Sequence, residues 1–417
     1  MILQDKMTSM KNATVWTALV LTVAAGPVNN SASSNNQFYC EVEVADLPSY
    51  PPFAVEESSG APWLPELTDG QKLLTIPSGN TLFLSCPGTR LAELSGDTIE
   101  AKCDSGSSFQ VDKQLMNFSN LGCEDEIKPE IREGDECQGT AVTEIIGWDL
   151  DPSYRQQISL CFNSSAASTL RAHHVINGSA IDAKQSTTKR PNFHTGGLYT
   201  FSMEKAYKQK NQVQQLIRLL GSEEQAHKFI DDDPEGDDYL SKGHLAAYAD
   251  FAYNSWEDAT CYYVNTAPQW QAFNTYNWAD LEGDIRELAV ALERDLHVYT
   301  GTHEVLELPD VNGNLVEIYL HTEGGVNMLP APRYFWKVIY DPSTAAGVAA
   351  VGVNNPYLTT EEVESHFLLC SDICSDLTWL THTMTSPDHG YIYCCPVDDL
   401  ANVIQEIPDL DVKSILT

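Results

Sequence analysis

Eleven cysteines in two separate groups restrict this chain more than any other feature of its sequence. Cys40, Cys86, Cys103, Cys123, Cys137 and Cys161 lie in the first half, and Cys370, Cys374, Cys394 and Cys395 lie near the end. Six and four are even numbers, so each group can pair internally and staple its own region. Cys261 is left over, and its apolar, aromatic neighbours Tyr262, Tyr263 and Val264 favour a buried free thiol over a reactive one. A zinc site at Cys370, Cys374, Cys394 and Cys395 is the competing reading, but adjacent cysteines make awkward tetrahedral ligands. Disulfides belong to oxidising compartments, and the N-terminus agrees. Lys6 and Lys11 precede the apolar run Val15 to Val23, and Ala24, Ala25 and Gly26 follow, the pattern of a cleaved signal peptide over residues 1–26. That run is shorter than the roughly 20 apolar residues needed to span a bilayer, and no later stretch is long enough. Secretion without a membrane anchor is expected, and the sequons at Asn117, Asn163 and Asn177 fit a glycosylated exterior.

A chain of 417 residues has room for two domains. Residues 27–62 are rich in Ser, Asn and Pro and read as a loosely ordered leading segment. From Leu73 short apolar runs begin, with Pro77-Ser78-Gly79-Asn80 as a turn between two strands. Further strands are expected around Thr98 to Lys102, Ala141 to Trp148 and Ile158 to Phe162, so residues 63–170 read as a disulfide-rich, mainly-β domain. Residues 171–417 mix helices and strands. Asn211 to Leu220 has a helical pattern, and Ser222 with Gln225 has the spacing of a capping box opening a helix through Ile230. Asn312-Gly313 signals a hairpin turn, and Tyr334 to Tyr340 a buried strand. The acidic stretch Asp231 to Asp238 lacks the ligand spacing of an EF-hand and reads as a solvated loop.

The chain carries 59 acidic and 24 basic residues, a formal charge of -35, which repels polyanions at long range. A phosphate backbone can still be gripped by a few local cations and a metal ion. The segment from Tyr239 to Arg286 holds residues suited to that work. Hydrolysis of a phosphodiester needs a base to deprotonate water and positive charge for the phosphate and the departing oxygen. A neutral histidine supplies the base, and magnesium, which dehydrates reluctantly, can be held by one side-chain oxygen with waters around it. Glu282 and Arg286 are one helical turn apart and can pair as an ordinary surface bridge, or act through water and on the phosphate respectively. Trp270 and Trp278 suit packing better than base stacking, and His173, His174 and His303 read as structural or surface residues.

Taken in order, Lys242-Gly243-His244, Asn265-x-x-Pro268-Gln269, Asn274, Trp278 and Leu281-Glu282 resemble the DNA/RNA non-specific endonuclease family, over roughly residues 190–400. The resemblance implies an α+β chain, with a ββα-metal nuclease domain at 171–417 preceded by the small disulfide-rich domain. It implies His244 as general base, with Lys242 and Arg286 as catalytic cations. Asn274 would ligate one Mg2+ ion directly, Glu282 would act on it through water, and Asn265 would support the site; Mn2+ is expected to substitute. Lys242 stands where most of the family has arginine, exchanging a planar fork for a point charge. An upstream arginine near the phosphate has two candidates, Arg190 and Arg218. Cys370 to Cys374 with Gly390 to Cys395 resembles the arthropod secreted branch, above all the crustacean nucleases. That implies an extracellular enzyme, with a digestive role as one option, acting on nucleic acid and favouring duplex DNA cut to 5'-phosphate ends, without an obligate protein partner. The alternatives are a sugar-non-specific nuclease, a double-stranded RNase, or an inactive nuclease-like binding protein. Lys242, Arg286, Arg294, Arg333 and Lys337 are expected to line a narrow positive groove.

Overall fold

The protein is described from a computed structural model covering residues 39–186, 190–231, 233 and 236–417. The expected signal peptide and the first part of the leading segment lie outside the described residues.

The strand Pro332–Asp341 shows how the centre of the molecule is built. Tyr334, Trp336 and Val338 point into one apolar cluster, while Phe335 and Ile339 point into another. With both faces covered, the strand reads as a continuous apolar run instead of an alternating one. It lies in a nine-stranded sheet, between Leu296–Val305 and Ala346–Val353. The sheet continues through Ser168–Ile176, Tyr154–Asn163, Ala141–Asp149 and Glu130–Gln138 on one side and Ile392–Cys395 on the other. All these pairings are antiparallel; the short strand Ser414–Ile415 joins Ala346–Val353 in parallel. Against one face packs the helix Asn277–Leu292, whose Trp278, Leu281, Ile285 and Leu288 recur at helical spacing and form its buried stripe. Trp278 meets Phe335 of the sheet edge-on at 5.7 Å between ring centroids.

Ahead of this lie a five-stranded antiparallel sheet in the order 53–56, 81–85, 98–105, 108–111, 114–117 and a three-stranded one in the order 39–43, 71–77, 66–68. Trp63, Leu74, Leu82, Phe109 and Phe118 fill the core around them. The fold is therefore the expected α+β one, with a disulfide-bearing β portion first. Its parts divide differently from the expectation. Residues 39–62, read as loosely ordered, supply Tyr39–Glu43 and Phe53–Glu56, and Cys40 is tied to Cys103. Residues 130–176, assigned mostly to the small domain, belong to the same sheet as residues 296–353, joined to them where Ser168–Ile176 pairs with Leu296–Val305. Short strands announce themselves locally, but which sheet they enter depends on hydrogen bonds to strands more than a hundred residues away.

The cysteines pair within their groups: Cys40–Cys103, Cys86–Cys123, Cys137–Cys161, Cys370–Cys395 and Cys374–Cys394, with Cys261 free and buried. All four C-terminal cysteines are thus in disulfides, which removes the zinc alternative. The helix Gln209–Leu220 forms as expected and ends on Gly221 at φ 89°. The next helix stops at Ala226 instead of Ile230: Ser222 caps it, but the Gln225 side chain donates to Pro309 O at 2.6 Å rather than closing a capping box. Among the described residues no helix is long and apolar enough to cross a membrane.

Candidate active site

Two short antiparallel strands, Leu240–His244 and Thr266–Trp270, pair with His244 opposite Thr266 and Gly243 opposite Ala267. A Cβ at position 243 would lie 2.3 Å from Gln269 Oε1, so only glycine lets the strand sit this close to the buried glutamine. Asn265, wholly buried, holds the chain just past His244. Its Oδ1 accepts from Ala246 N at 2.9 Å, and its Nδ2 donates to Ala246 O at 2.9 Å and Thr260 O at 3.1 Å. The expected supporting residue is thus a backbone pin for the turn that follows the histidine.

His244 Nε2 is buried and has no protein hydrogen-bond partner. Phe193 lies beside the ring at 5.3 Å and Tyr248 stands edge-on at 6.4 Å between centroids. Burial, and after it the charges of Arg190 and Lys242, push the imidazole down to about 3, so it is neutral at pH 7. The Lys242 ammonium lies 5.2 Å from the Phe193 ring and 5.5 Å from the Tyr207 ring, within cation–π range of both, and burial lowers its pKa.

Asn274 sits on the short helix Gln271–Thr275, half-buried, and its amide makes no hydrogen bond to another described residue. Its position is set by Phe273, fully buried between Gly352 and Gly390 and edge-on to Trp278 and Phe335. One turn apart on the long helix, Glu282 and Arg286 do not bridge each other. The Glu282 carboxylate faces Lys337 Nζ at 3.9 Å, and Lys337, itself buried, donates to Thr300 Oγ1 at 2.7 Å. Burial pushes the Glu282 carboxyl up, and Lys337 is the strongest influence opposing it. Arg286 turns instead to Asp250, donating from Nη1 to Oδ1 at 2.9 Å. The other oxygen of Asp250 accepts from His174 Nε2 at 2.8 Å.

Of the two upstream arginines, Arg190 is at the site: its guanidinium lies 4.2 Å over the Tyr248 ring, and its charge acts on both His244 and Glu282. Arg218 faces Thr322 and Gln215 instead. The expected groove of five cations is not what forms. Arg294 pairs with Asp341 at 2.7 Å, Arg333 pairs with Glu304 and Glu307 at 2.8 Å, and Lys337 is buried behind Glu282. Trp270 and Trp278 are core residues, each 1% exposed. Sequence reasoning missed Asp250 and His174. Asp250 follows His244 by six residues without any periodic signal, and His174 comes from a distant strand whose alternation reads as ordinary core.

The charge of Arg190 links His244 and Glu282, Lys242 and Arg286 add cations beside them, and Asn274 brings an amide on a short helix that packs against both the His244 strand and the long helix. Residues 143–400, well over half of the chain, match the DNA/RNA non-specific endonuclease family. The chain belongs to this family. It is a nuclease, and the family is metal-dependent. A salivary endonuclease of Lutzomyia longipalpis is 25% identical over 391 residues, covering 92% of this chain and 87% of the relative. Salivary protein Tsal2A of Glossina morsitans morsitans is 22% identical, covering 83% and 86% respectively. A solved EndoG/EndoGI complex is similar at a TM-score of 0.40 and 16% identity, covering 62% of this chain and 87% of that one.

The donors fit a hard divalent cation. Asn274 and Glu282 offer oxygen and no sulfur, and the Asn274 amide is not engaged elsewhere among the described residues. The one three-residue cluster of other metal-binding type among the described residues, Asp372 with Cys374 and Cys394, has its two sulfurs in a disulfide.

Proposed function

We propose that this nuclease is a secreted, Mg2+-dependent endonuclease that prefers duplex DNA and leaves 5'-phosphate ends. The half-buried, neutral imidazole of His244, influenced by the charges of Arg190 and Lys242 and with no protein partner on Nε2, carries the reading: it is uncharged at pH 7 and so able to accept a proton. The His244 imidazole takes the proton of the attacking water. Burial holds its basicity down in the free enzyme, with Arg190 and Lys242 adding to the effect, and a bound phosphodiester offsets the share of the two cations. Arg286 steadies the phosphate, and Asn265 keeps the histidine strand in place. Asn274 would hold Mg2+ and Glu282 would act on it through water; when bound, the ion would supply charge stabilisation for the phosphate and the departing oxygen, with Mn2+ able to substitute.

Five disulfides and relatives named as salivary proteins support an extracellular setting. Duplex preference rests on the likeness of Lys242 and the C-terminal cysteine region to the crustacean branch. The test measures cleavage of duplex DNA, single-stranded DNA and duplex RNA, with Mg2+, after exhaustive chelation and after Mg2+ is restored. Loss and recovery on duplex DNA is the expected result. Full activity after chelation would overturn the metal reading, and equal rates on all three substrates would make the enzyme sugar-non-specific.

A further inference from the structure

Beneath the helix Asn277–Leu292, three adjacent strands of the large sheet each present one polar side chain to the site. These are His174 from Ser168–Ile176, Thr300 from Leu296–Val305 and Lys337 from Pro332–Asp341. Thr300 and Lys337 stand behind Glu282. His174 stands behind Asp250, and Asp250 stands behind Arg286. Asp250 is 3% exposed, yet both carboxylate oxygens are engaged, one by a neutral donor and one by the guanidinium. We propose that Asp250, oriented by His174, is the positioning residue that fixes the phosphate-side Arg286; this rests on the reading of Arg286 given above.

The physical case is one of charge and geometry. Arg286 has a long, flexible side chain, and its charged neighbours besides Asp250 are Lys337, which repels it, and Glu282 and Glu257, which attract it. Without a hydrogen-bonded anchor it could swing between these carboxylates and would lose rotamer freedom each time it turned to a substrate. A carboxylate bonded at 2.9 Å inside a nearly closed site holds it in one orientation beforehand, through a charge-assisted hydrogen bond. His174 performs the same service for Asp250. Its Nε2–H bond sets the carboxylate plane, and because its buried Nδ1 has no partner among the described residues, that bond to Asp250 is the one hydrogen bond that orients the ring. Burial and the like charge of Glu282 disfavour the ionised form of Asp250, but the hydrogen bond from His174 and the charges of Arg286 and Lys337 outweigh them and hold its carboxyl down at about 2. The anchor therefore stays charged throughout the working range of the enzyme.

A double-mutant cycle on the full-length, disulfide-bonded protein tests this, with kcat, KM and thermal unfolding measured on duplex DNA in Mg2+. Misplacing a catalytic group by about 1 Å costs on the order of 100-fold in rate, so Asp250→Asn is expected to lower kcat by roughly that factor with little change in KM. Arg286→Ala is expected to do at least as much. The double variant should be no slower than Arg286→Ala alone, because the aspartate acts through the arginine. If Asp250→Asn fails to fold, His174→Phe replaces it in the cycle, with a smaller loss of kcat that again vanishes on the Arg286→Ala background. Multiplicative losses in the double variant, or wild-type kcat in Asp250→Asn, would overturn the proposal while leaving Arg286 in its role. Wild-type kcat in Arg286→Ala would overturn the role of Arg286 itself.

Discussion

Replacing Gly352 with alanine is expected to slow the nuclease by displacing Asn274, the proposed metal ligand. Gly352 lies in the buried strand Ala346–Val353, and an added Cβ would stand 2.2 Å from Phe273 Cζ and 2.9 Å from Cε2. Ordinary contact between carbons begins near 3.4 Å, so the ring would have to retreat by about 1.2 Å. It has nowhere to go: a Cβ at Gly390 would already meet the same ring at 2.0 Å, and Trp278 and Phe335 lie edge-on to it. Overpacking of this kind costs about 1–3 kcal/mol of stability. Because Phe273 immediately precedes Asn274 on the same helical turn, the displacement passes to the amide, and a shift of about 1 Å costs on the order of 100-fold in turnover. The assay is kcat on duplex DNA across a Mg2+ titration, with the melting temperature recorded alongside. The variant should be slower and need more Mg2+, and Gly352→Ala with Phe273→Leu, which makes room for the new methyl group, should recover part of both. Wild-type turnover and metal dependence in Gly352→Ala, or no recovery in the double variant, would refute the idea that Phe273 sets the position of Asn274.

Removing the base by His244→Ala should cost roughly 100- to 10,000-fold in turnover with substrate affinity largely kept; single-turnover rates near wild type would end its assignment as base. Arg286→Ala should slow cleavage far more than Arg294→Ala, since Arg294 is engaged with Asp341; equal losses in the two would point to binding spread over a wide surface. With a formal charge of -35, the protein should cleave faster as salt rises from very low levels, before screening of the site cations takes over; a steep fall from the lowest salt onwards would contradict this. Burial, and then the hydrogen bond and charge of Asp258, push the Glu126 carboxyl up from 4.5 to about 7. A raised carboxyl pKa means that its contribution to stability is full below about pH 4.5 and is lost as pH rises through about 7. Glu126→Gln should therefore raise the melting temperature at pH 8 and not at pH 4.5, and an equal effect at both would exclude this titration.

Much of the protein was legible along the chain because the signals are local or ordered. Lys242-Gly243-His244, the Asn265 to Gln269 segment, Asn274 and Glu282 lie within 41 consecutive residues, and the ββα unit folds from that stretch, so order and interval were enough to recognise it. Parity and grouping of the cysteines limited which could pair, and the apolar run around Tyr334 to Tyr340 marked a strand covered on both faces. Sheet membership was beyond reach of such signals: residues 130–176 look like strands of a small domain, yet the last of them, Ser168–Ile176, pairs with Leu296–Val305 and carries all of them into the large sheet. The same holds for charge. Along the chain Arg294, Arg333 and Lys337 look as available to a phosphate as Arg286, and only the packed structure hands two of them to carboxylates elsewhere, buries the third behind Glu282 and anchors Arg286 to Asp250. Local sequence determines which chemical groups a segment brings and whether it forms a strand or a helix, since backbone preference and side-chain periodicity act over a few residues. Which groups meet is decided by the tertiary structure, because hydrogen bonds and ion pairs act over a few ångströms in space, and the chain brings those ångströms together from residues far apart.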